Sequence, residues 1–164
     1  MLKGFAPVAG TDARVLILGT MPSVASIREN QYYGHPQNAF WKIIFSLWDK
    51  QVPAEYDNRI QFLIEKRIAL WDVLSACERV GSADSNIKQP AANDFNIIAD
   101  KCPMLGAVFF NSQNAEVLYK RLVVPDVFSS LKKMTLPSTS PARAMKFEKK
   151  LSLWLPVRNY LEHN

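Results

Sequence analysis

Cysteine and histidine are scarce in this chain: two of each among 164 residues, Cys77 with Cys102 and His35 with His163. So few thiols exclude a disulfide-framed scaffold, a four-cysteine iron–sulfur cluster and a Cys₄ zinc site. Counted with the histidines they reach the number for a Cys₂His₂ site, but no two of the four have the close spacing such sites use. No thiol–imidazole metal site is therefore expected, and no metal or cofactor is implied by the motifs below. Long apolar runs are missing too. The cleanest, Val15-Leu-Ile-Leu18, is far shorter than the roughly 20 residues of a membrane-crossing helix. The N-terminus has no apolar stretch of the secretory kind, so the expectation is a soluble protein of the reducing cytoplasm. Apolar residues make up 48% and charged residues 21%, near globular averages, which argues against disorder, a collagen-like repeat or a coiled coil. With no internal repeat and no linker, residues 1–164 are expected to form a single domain.

Charge is present but unevenly placed. The net charge is +5. Residues 1–118 carry 11 Lys/Arg against 12 Asp/Glu, whereas residues 119–164 carry 9 Lys/Arg against 3 Asp/Glu. A basic segment on an otherwise neutral domain suits a polyanion, because each phosphate neutralised releases counterions. A solvated helix face has the same composition, and charge alone does not separate the two.

Hydrophobic patterning alternates between strand and helix. Arg14-Val-Leu-Ile-Leu-Gly19 is short, branched, apolar and stopped by glycine, the signature of a buried parallel strand. Further strands are predicted at 68–73 and 105–110, and at 133–136, where Pro137 ends the strand. Between them, helices are predicted over 39–49, 54–66, from Asn93 or Asp94 to Lys101, over 112–122, and over 142–160 with Pro156 interrupting the last. Asn38 is placed to cap the first of these, and the polar stretch 78–89 is predicted as loop. Alternation of this kind predicts an α/β fold, a three-layer αβα sandwich with a central four-stranded parallel sheet. Ligands in such folds collect beyond the carboxyl ends of the strands. That rule directs attention to 19–23, 72–75, 111–113 and 137–143.

Those tips carry motifs. The first reads Gly19-Thr-Met-Pro-Ser23 and the last Leu136-Pro-Ser-Thr-Ser-Pro-Ala-Arg143, with His35-Pro-Gln-Asn-Ala-Phe-Trp41 and Leu70-Trp-Asp-Val73 between them. In these the sequence resembles the uracil-DNA glycosylase superfamily. Its two signatures are a Gly-x-x-Pro-Ser/Gly turn after strand one and a Pro-Ser-x-Ser loop after strand four. The middle segments are most similar to the hypoxanthine-DNA glycosylase branch, and Asn38-Ala-Phe-Trp-Lys42 is also similar to the mismatch-specific uracil/thymine branch.

The resemblance implies a base-excision repair enzyme. It would flip a deaminated base, hypoxanthine first, out of double-stranded DNA and hydrolyse its N-glycosidic bond, leaving an abasic site. It would act as a monomer associated with the nucleoid. Asn38 matches the residue regarded as catalytic in the hypoxanthine branch, and an amide can orient water and bond a base without titrating. The mismatch branch keeps its asparagine in the first motif, where Met21 stands. The common uracil branch uses a histidine where Leu136 stands, and neither side chain can position water. The base-binding pocket implied is Gly19, Met21, Pro22, Ser23, Tyr33, Phe40, Asp72 and Asn111. Phe40 is expected to stack on the base, and Asp72 to meet its edge or to serve a structural cap. Ser138, Ser140, Arg143 and Lys146 are implied as DNA contacts, with Lys149 and Lys150 beside them on the basic segment. No lysine falls at a motif position as an amine nucleophile, so strand cleavage is not expected. Two other readings stay open on sequence: a mismatch-type uracil/thymine glycosylase, and a non-catalytic module that binds DNA or a nucleotide.

Overall fold

In the computed structural model, which describes residues 1–163, the four apolar runs lie side by side as one parallel sheet. In chain order the elements are β1 (Leu2–Lys3), β2 (Val15–Gly19), α1 (Val24–Glu29), α2 (Phe40–Ser46), α3 (Tyr56–Glu65), β3 (Ile68–Asp72), β4 (Leu74–Glu78), β5 (Lys88–Ala92), α4 (Asn96–Lys101), β6 (Ala107–Asn111), α5 (Gln113–Leu122), β7 (Lys132–Leu136) and α6 (Phe147–His163). A 3-10 turn, Asp84–Asn86, precedes β5. The parallel sheet has the order β3-β2-β6-β7, and β1, β4 and β5 make a small second sheet in the order β1-β4-β5.

Alternation along each strand sends successive side chains to opposite faces, which builds two cores. Leu16, Leu18, Trp71, Val108 and Phe110 pack on one face against Phe95, Ile98, Ala115 and Tyr119 of α4, its cap and α5. Val15, Ile17, Leu70 and Phe109 pack on the other against Phe40, Ile43, Ile44, Leu63 and Trp154 of α2, α3 and α6. Each such fully buried side chain stabilises the fold by roughly 1.5–3 kcal/mol. The result is the expected three-layer αβα sandwich, with in-register pairing that brings Gly19 beside Asp72 and Asn111 beside Leu136. All four strands therefore end on the same side of the sheet.

Several local expectations are corrected. The stretch 78–89 is not simply loop: it holds the end of β4, the 3-10 turn and the start of β5. Strand β5, Lys-Gln-Pro-Ala-Ala, has no alternating apolar pattern, and it lies on an edge, where Pro90 is tolerated. The helix expected over 39–49 covers only Phe40–Ser46; its N-cap position is Ala39, which makes no side-chain cap bond, while Asn38, one residue earlier, accepts from the first helical N–H, that of Phe40, and Asp49, in left-handed backbone, lies beyond the helix end. The last helix starts at Phe147, not 142, and continues through Pro156 to His163. Proline removes one helical hydrogen bond there, but the buried Trp154 and Val157 on either side hold the helix against the sheet.

Trp154 joins fold to loop: fully buried, its indole Nε1 donates to the Pro137 carbonyl at 2.9 Å. Trp154→Ala is expected to cost about 3–5 kcal/mol in urea unfolding.

Candidate active site

The strand ends converge on a cavity of about 710 Å³. Gly19, Asp72 and Asn111 come to it from β2, β3 and β6, and Ser138–Arg143 from the loop after β7. Tyr33 and Asn38, before α2, close one side, and Ser82–Ser85, between β4 and β5, close another. Gly19 is required by contact: a Cβ there would lie 2.5 Å from Asp72 Oδ1 and 2.9 Å from the Tyr33 hydroxyl.

Asn111 binds the walls together. Its Oδ1 accepts from the Thr139 backbone N–H at 2.9 Å, while its Nδ2 donates to Thr139 Oγ1 at 2.9 Å and to the Tyr33 hydroxyl at 3.1 Å. Its oxygen and its amide hydrogens are thus engaged within the protein. Tyr33 is set by the same bond and by stacking on Phe40, with ring centroids 4.1 Å apart and planes at 17°. Its backbone is left-handed, φ 54°, a conformation bulky residues adopt only when their surroundings impose it. Burial, reinforced by the charge of Asp72, pushes the Tyr33 hydroxyl far above its ordinary pKa, so it remains a neutral donor.

Asn38 is half-buried on the cavity wall. Its Oδ1 accepts from the Phe40 N–H at 2.9 Å, fixing the amide plane. A carbonyl oxygen has two lone pairs, so Oδ1 keeps one for another donor, and Nδ2 is not used in this bond. The neighbouring backbone is tied to the last loop, since Ala39 N donates to the Thr139 carbonyl at 3.0 Å. Thr139 therefore registers the Asn38 segment and the Asn111 amide against one another.

Two carboxyls face the interior. Asp72 is only 4% exposed; burial, with the nearby charge of Asp84, pushes its pKa up to about 7, opposed by Arg79. Asp84 is also raised by burial, though hydrogen bonds with Thr20 and Asn114 and the charge of Arg79 hold it back. Arg79 fastens the rim: Nε donates to the Gly81 carbonyl and Nη2 to the Pro22 carbonyl, both at 2.7 Å. Among the described residues, no three His, Cys, Asp or Glu side chains gather as a metal site would require.

Of the residues singled out by sequence, Asn38, Gly19, Met21, Pro22, Ser23, Tyr33, Asp72, Asn111, Ser138, Ser140 and Arg143 all line this cavity. Ser23 is also the N-cap of α1, its Oγ accepting from Ser26 N at 3.1 Å. Phe40 does not line it: the ring is fully buried behind Tyr33, which presents the aromatic surface instead. Leu136 is likewise in the core. Ser138 and Ser140 accept from the backbone N–H two residues on, at 3.1 and 3.2 Å, so they shape the loop that carries them. Lys146 is exposed and off the cavity wall. Lys150 departs from the sequence reading. It is buried, and its Nζ donates to the Arg143 carbonyl at 3.1 Å, so it props the loop from beneath.

The basic segment is partly self-neutralised, through Lys120–Glu116, Lys133–Asp126 and Arg158–Glu162. Arg143, Lys146 and Lys149 remain exposed near the mouth of the cavity or just beyond the loop. Asp84, Arg79, Thr20 and Thr139 were not singled out by sequence. Only the cavity itself marks Asp84, because a Ser/Asp/Asn-rich stretch reads as turn.

Comparison with known proteins agrees with this geometry. A model of the uracil DNA glycosylase superfamily matches residues 7–162. Two proteins named hypoxanthine DNA glycosylase, from Methanosarcina barkeri and Methanosarcina acetivorans, are 40% and 38% identical over 114 residues, spanning 69% of this chain and 72% of each relative. A solution NMR structure from Methanosarcina acetivorans, described as that of a candidate uracil DNA glycosylase, superposes with a TM-score of 0.84 at 34% identity, covering 98% of both chains.

Two asparagine substitutions separate architecture from chemistry. Asn111→Ala strands the buried Thr139 amide and is expected to cost about 1–3 kcal/mol in urea unfolding. Asn38→Ala removes one half-exposed bond and is expected to cost less than about 1 kcal/mol.

Proposed function

The chain belongs to the uracil DNA glycosylase superfamily, and we propose that it excises hypoxanthine from double-stranded DNA, hydrolysing the N-glycosidic bond and leaving an abasic site. The observation that carries this reading is the pairing of Asn38 with a first motif that presents methionine, not an amide, at position 21. Met21 lines the cavity where the mismatch branch of the resemblance would have an asparagine, and Leu136 is in the core rather than on the wall. Asn38, its plane fixed and one lone pair of Oδ1 free, is then an amide placed to hold water. The two relatives named for hypoxanthine excision add support.

The reaction passes through an oxocarbenium-like sugar as the base departs with the bonding electron pair. Asn38 Oδ1, held by the Phe40 N–H, accepts from a water whose oxygen joins C1′. Because an amide does not titrate, the water's proton goes to solvent. The flipped base enters against the ring of Tyr33, with Phe40 behind it. Phosphates are held by Arg143 and Lys146, through charge rather than sequence. No lysine lines the cavity among the described residues, which suits hydrolysis without a covalent amine intermediate. The protein acts on DNA as a monomer.

Excision from duplexes carrying deoxyinosine or deoxyuridine, developed with hot alkali, tests this reading. Wild type is expected to cleave the inosine duplex, and Asn38→Ala to lose about 10²–10⁴ in rate with DNA affinity kept within a few-fold. Cleavage confined to uracil would transfer the protein to the mismatch branch. Cleavage of neither, with salt-dependent DNA binding intact, would make it a binding module. Removing Arg143 or Lys146 is expected to lower the slope of log affinity against log salt by about one each.

A further inference from the structure

Strand β7 is an outer strand of the parallel sheet: it pairs with β6 on one side and with no strand on the other. The Lys132 N–H donates to the Gly106 carbonyl at 3.3 Å. Backbone groups alternate in direction along a strand, so residues 132, 134 and 136 serve β6, while the N–H and C=O of Lys133 and Thr135 point outward. Among the described residues no other backbone group bonds to these four. An edge left open in this way is a template for another strand. Beside it, between β7 and α6, lies a groove of about 660 Å³ lined by Lys132, Met134, Pro156, Asn159, Tyr160 and His163. Met134 is 46% exposed there. The groove runs along the first half of β7 and shares no residue with the candidate active site, which opens beyond the strand's end. Its charge is one-sided. Lys133 pairs with Asp126 and Arg158 with Glu162, both at 3.0 Å, and Lys120 with Glu116 at 3.6 Å. Lys132 and Arg14 have no ion pair among the described residues. Both stand over the ring of Tyr160, 6.0 and 5.7 Å from its centroid.

We propose that β7 receives an extended segment of a partner protein as an added strand of the parallel sheet, with one bulky apolar side chain of that segment in the groove against Met134 and Tyr160 and a carboxylate two residues away on Lys132. Lys132 and Met134 are in register with Ala107 and Phe109, whose side chains pack on the α6 face of the sheet. Side chains two apart on an added strand share a face. An apolar residue beside Met134 therefore sets its second neighbour beside Lys132, where opposite charges attract. Backbone bonds to Lys133 and Thr135 give affinity whatever the sequence, and the groove with Lys132 gives the selection. A second copy of this chain is a poor occupant, because two β7 edges would gather Lys132 and Lys133 from each on one seam. Edge lysines oppose such self-pairing, and the same charges favour an acidic segment. Since the groove is separate from the active-site cavity, the partner is held without closing that cavity.

The probe is a capped peptide, Thr-Glu-Thr-Leu-Thr-Glu-Thr, in which leucine has glutamate two residues away on both sides, so either strand direction presents the pattern. Amide ¹H–¹⁵N spectra of the full chain are expected to show saturable shifts over Lys132–Leu136 and the C-terminal half of α6. Hydrogen exchange at the Lys133 and Thr135 amides is expected to be fast in the free protein and to slow at least about tenfold with saturating peptide, the Met134 amide being slow throughout. Lys132 is exposed, so Lys132→Glu leaves the fold intact. This variant is expected to bind the peptide about fivefold more weakly and to prefer the same peptide with lysine in place of glutamate. No binding at millimolar peptide, shifts confined to the active-site cavity, or affinity indifferent to Lys132→Glu overturns the proposal. So does protection of Lys133 and Thr135 that rises with protein concentration alone, which makes the edge a contact between two copies. Displacement of the peptide by undamaged duplex DNA overturns it as well, making the edge a nucleic-acid surface.

Discussion

The carboxamide of Asn111 holds three otherwise separate pieces of chain in one arrangement: the end of β6, the loop after β7 through Thr139, and the loop before α2 through the Tyr33 hydroxyl. Thr139 extends the connection, since its carbonyl accepts from Ala39, next to Asn38. The amide plane of Asn38, the ring of Tyr33 and the position of Ser138–Arg143 are thus set by one buried network rather than by flexible loops acting alone. Such networks are rigid when every member is satisfied, and precise placement of water and base requires that rigidity. The cavity has its shape because the four strands end together and this network joins the loops that leave them.

Within that frame the charges are segregated. Acidic groups, Asp72 and Asp84, line the interior, whereas Arg143 and Lys146 are exposed on the loop after β7 and Lys149 on the first turn of α6. A nucleic-acid backbone is drawn to the cations and repelled from the carboxyls. A base without charge can go where a phosphate cannot. Lys150 contributes by position: buried and bonded to the Arg143 carbonyl, it sets the height of the loop from which Arg143 and Lys146 project.

The parallel sheet and its ligand end were legible because β2, β3 and β6 are unbroken apolar runs that stop in Gly19, Asp72 and Asn111. The second sheet was not. Strand β5 carries Lys88, Gln89 and Pro90 on an exposed edge, with no periodicity to betray it. Asp84 and Arg79 went unseen as site residues for the same reason, since their segment reads as polar connection. Phe40 and Tyr33 illustrate a different limit: sequence shows two aromatics near a motif, but only packing decides which ring stands in front. Lys150 is indistinguishable from its basic neighbours in sequence, because a charge run does not reveal the residue that turns inward.

The seating of a flipped base in this cavity underlies every chemical role assigned to its walls. It is tested most directly by the structure of Asn38→Ala bound to a duplex containing deoxyinosine, slow enough in cleavage to trap the intact nucleotide. Hypoxanthine is expected rotated out of the helix, stacked on Tyr33 and within hydrogen-bond distance of Asp72. Hypoxanthine left in the DNA stack, or held away from Tyr33 and Asp72, would contradict that seating.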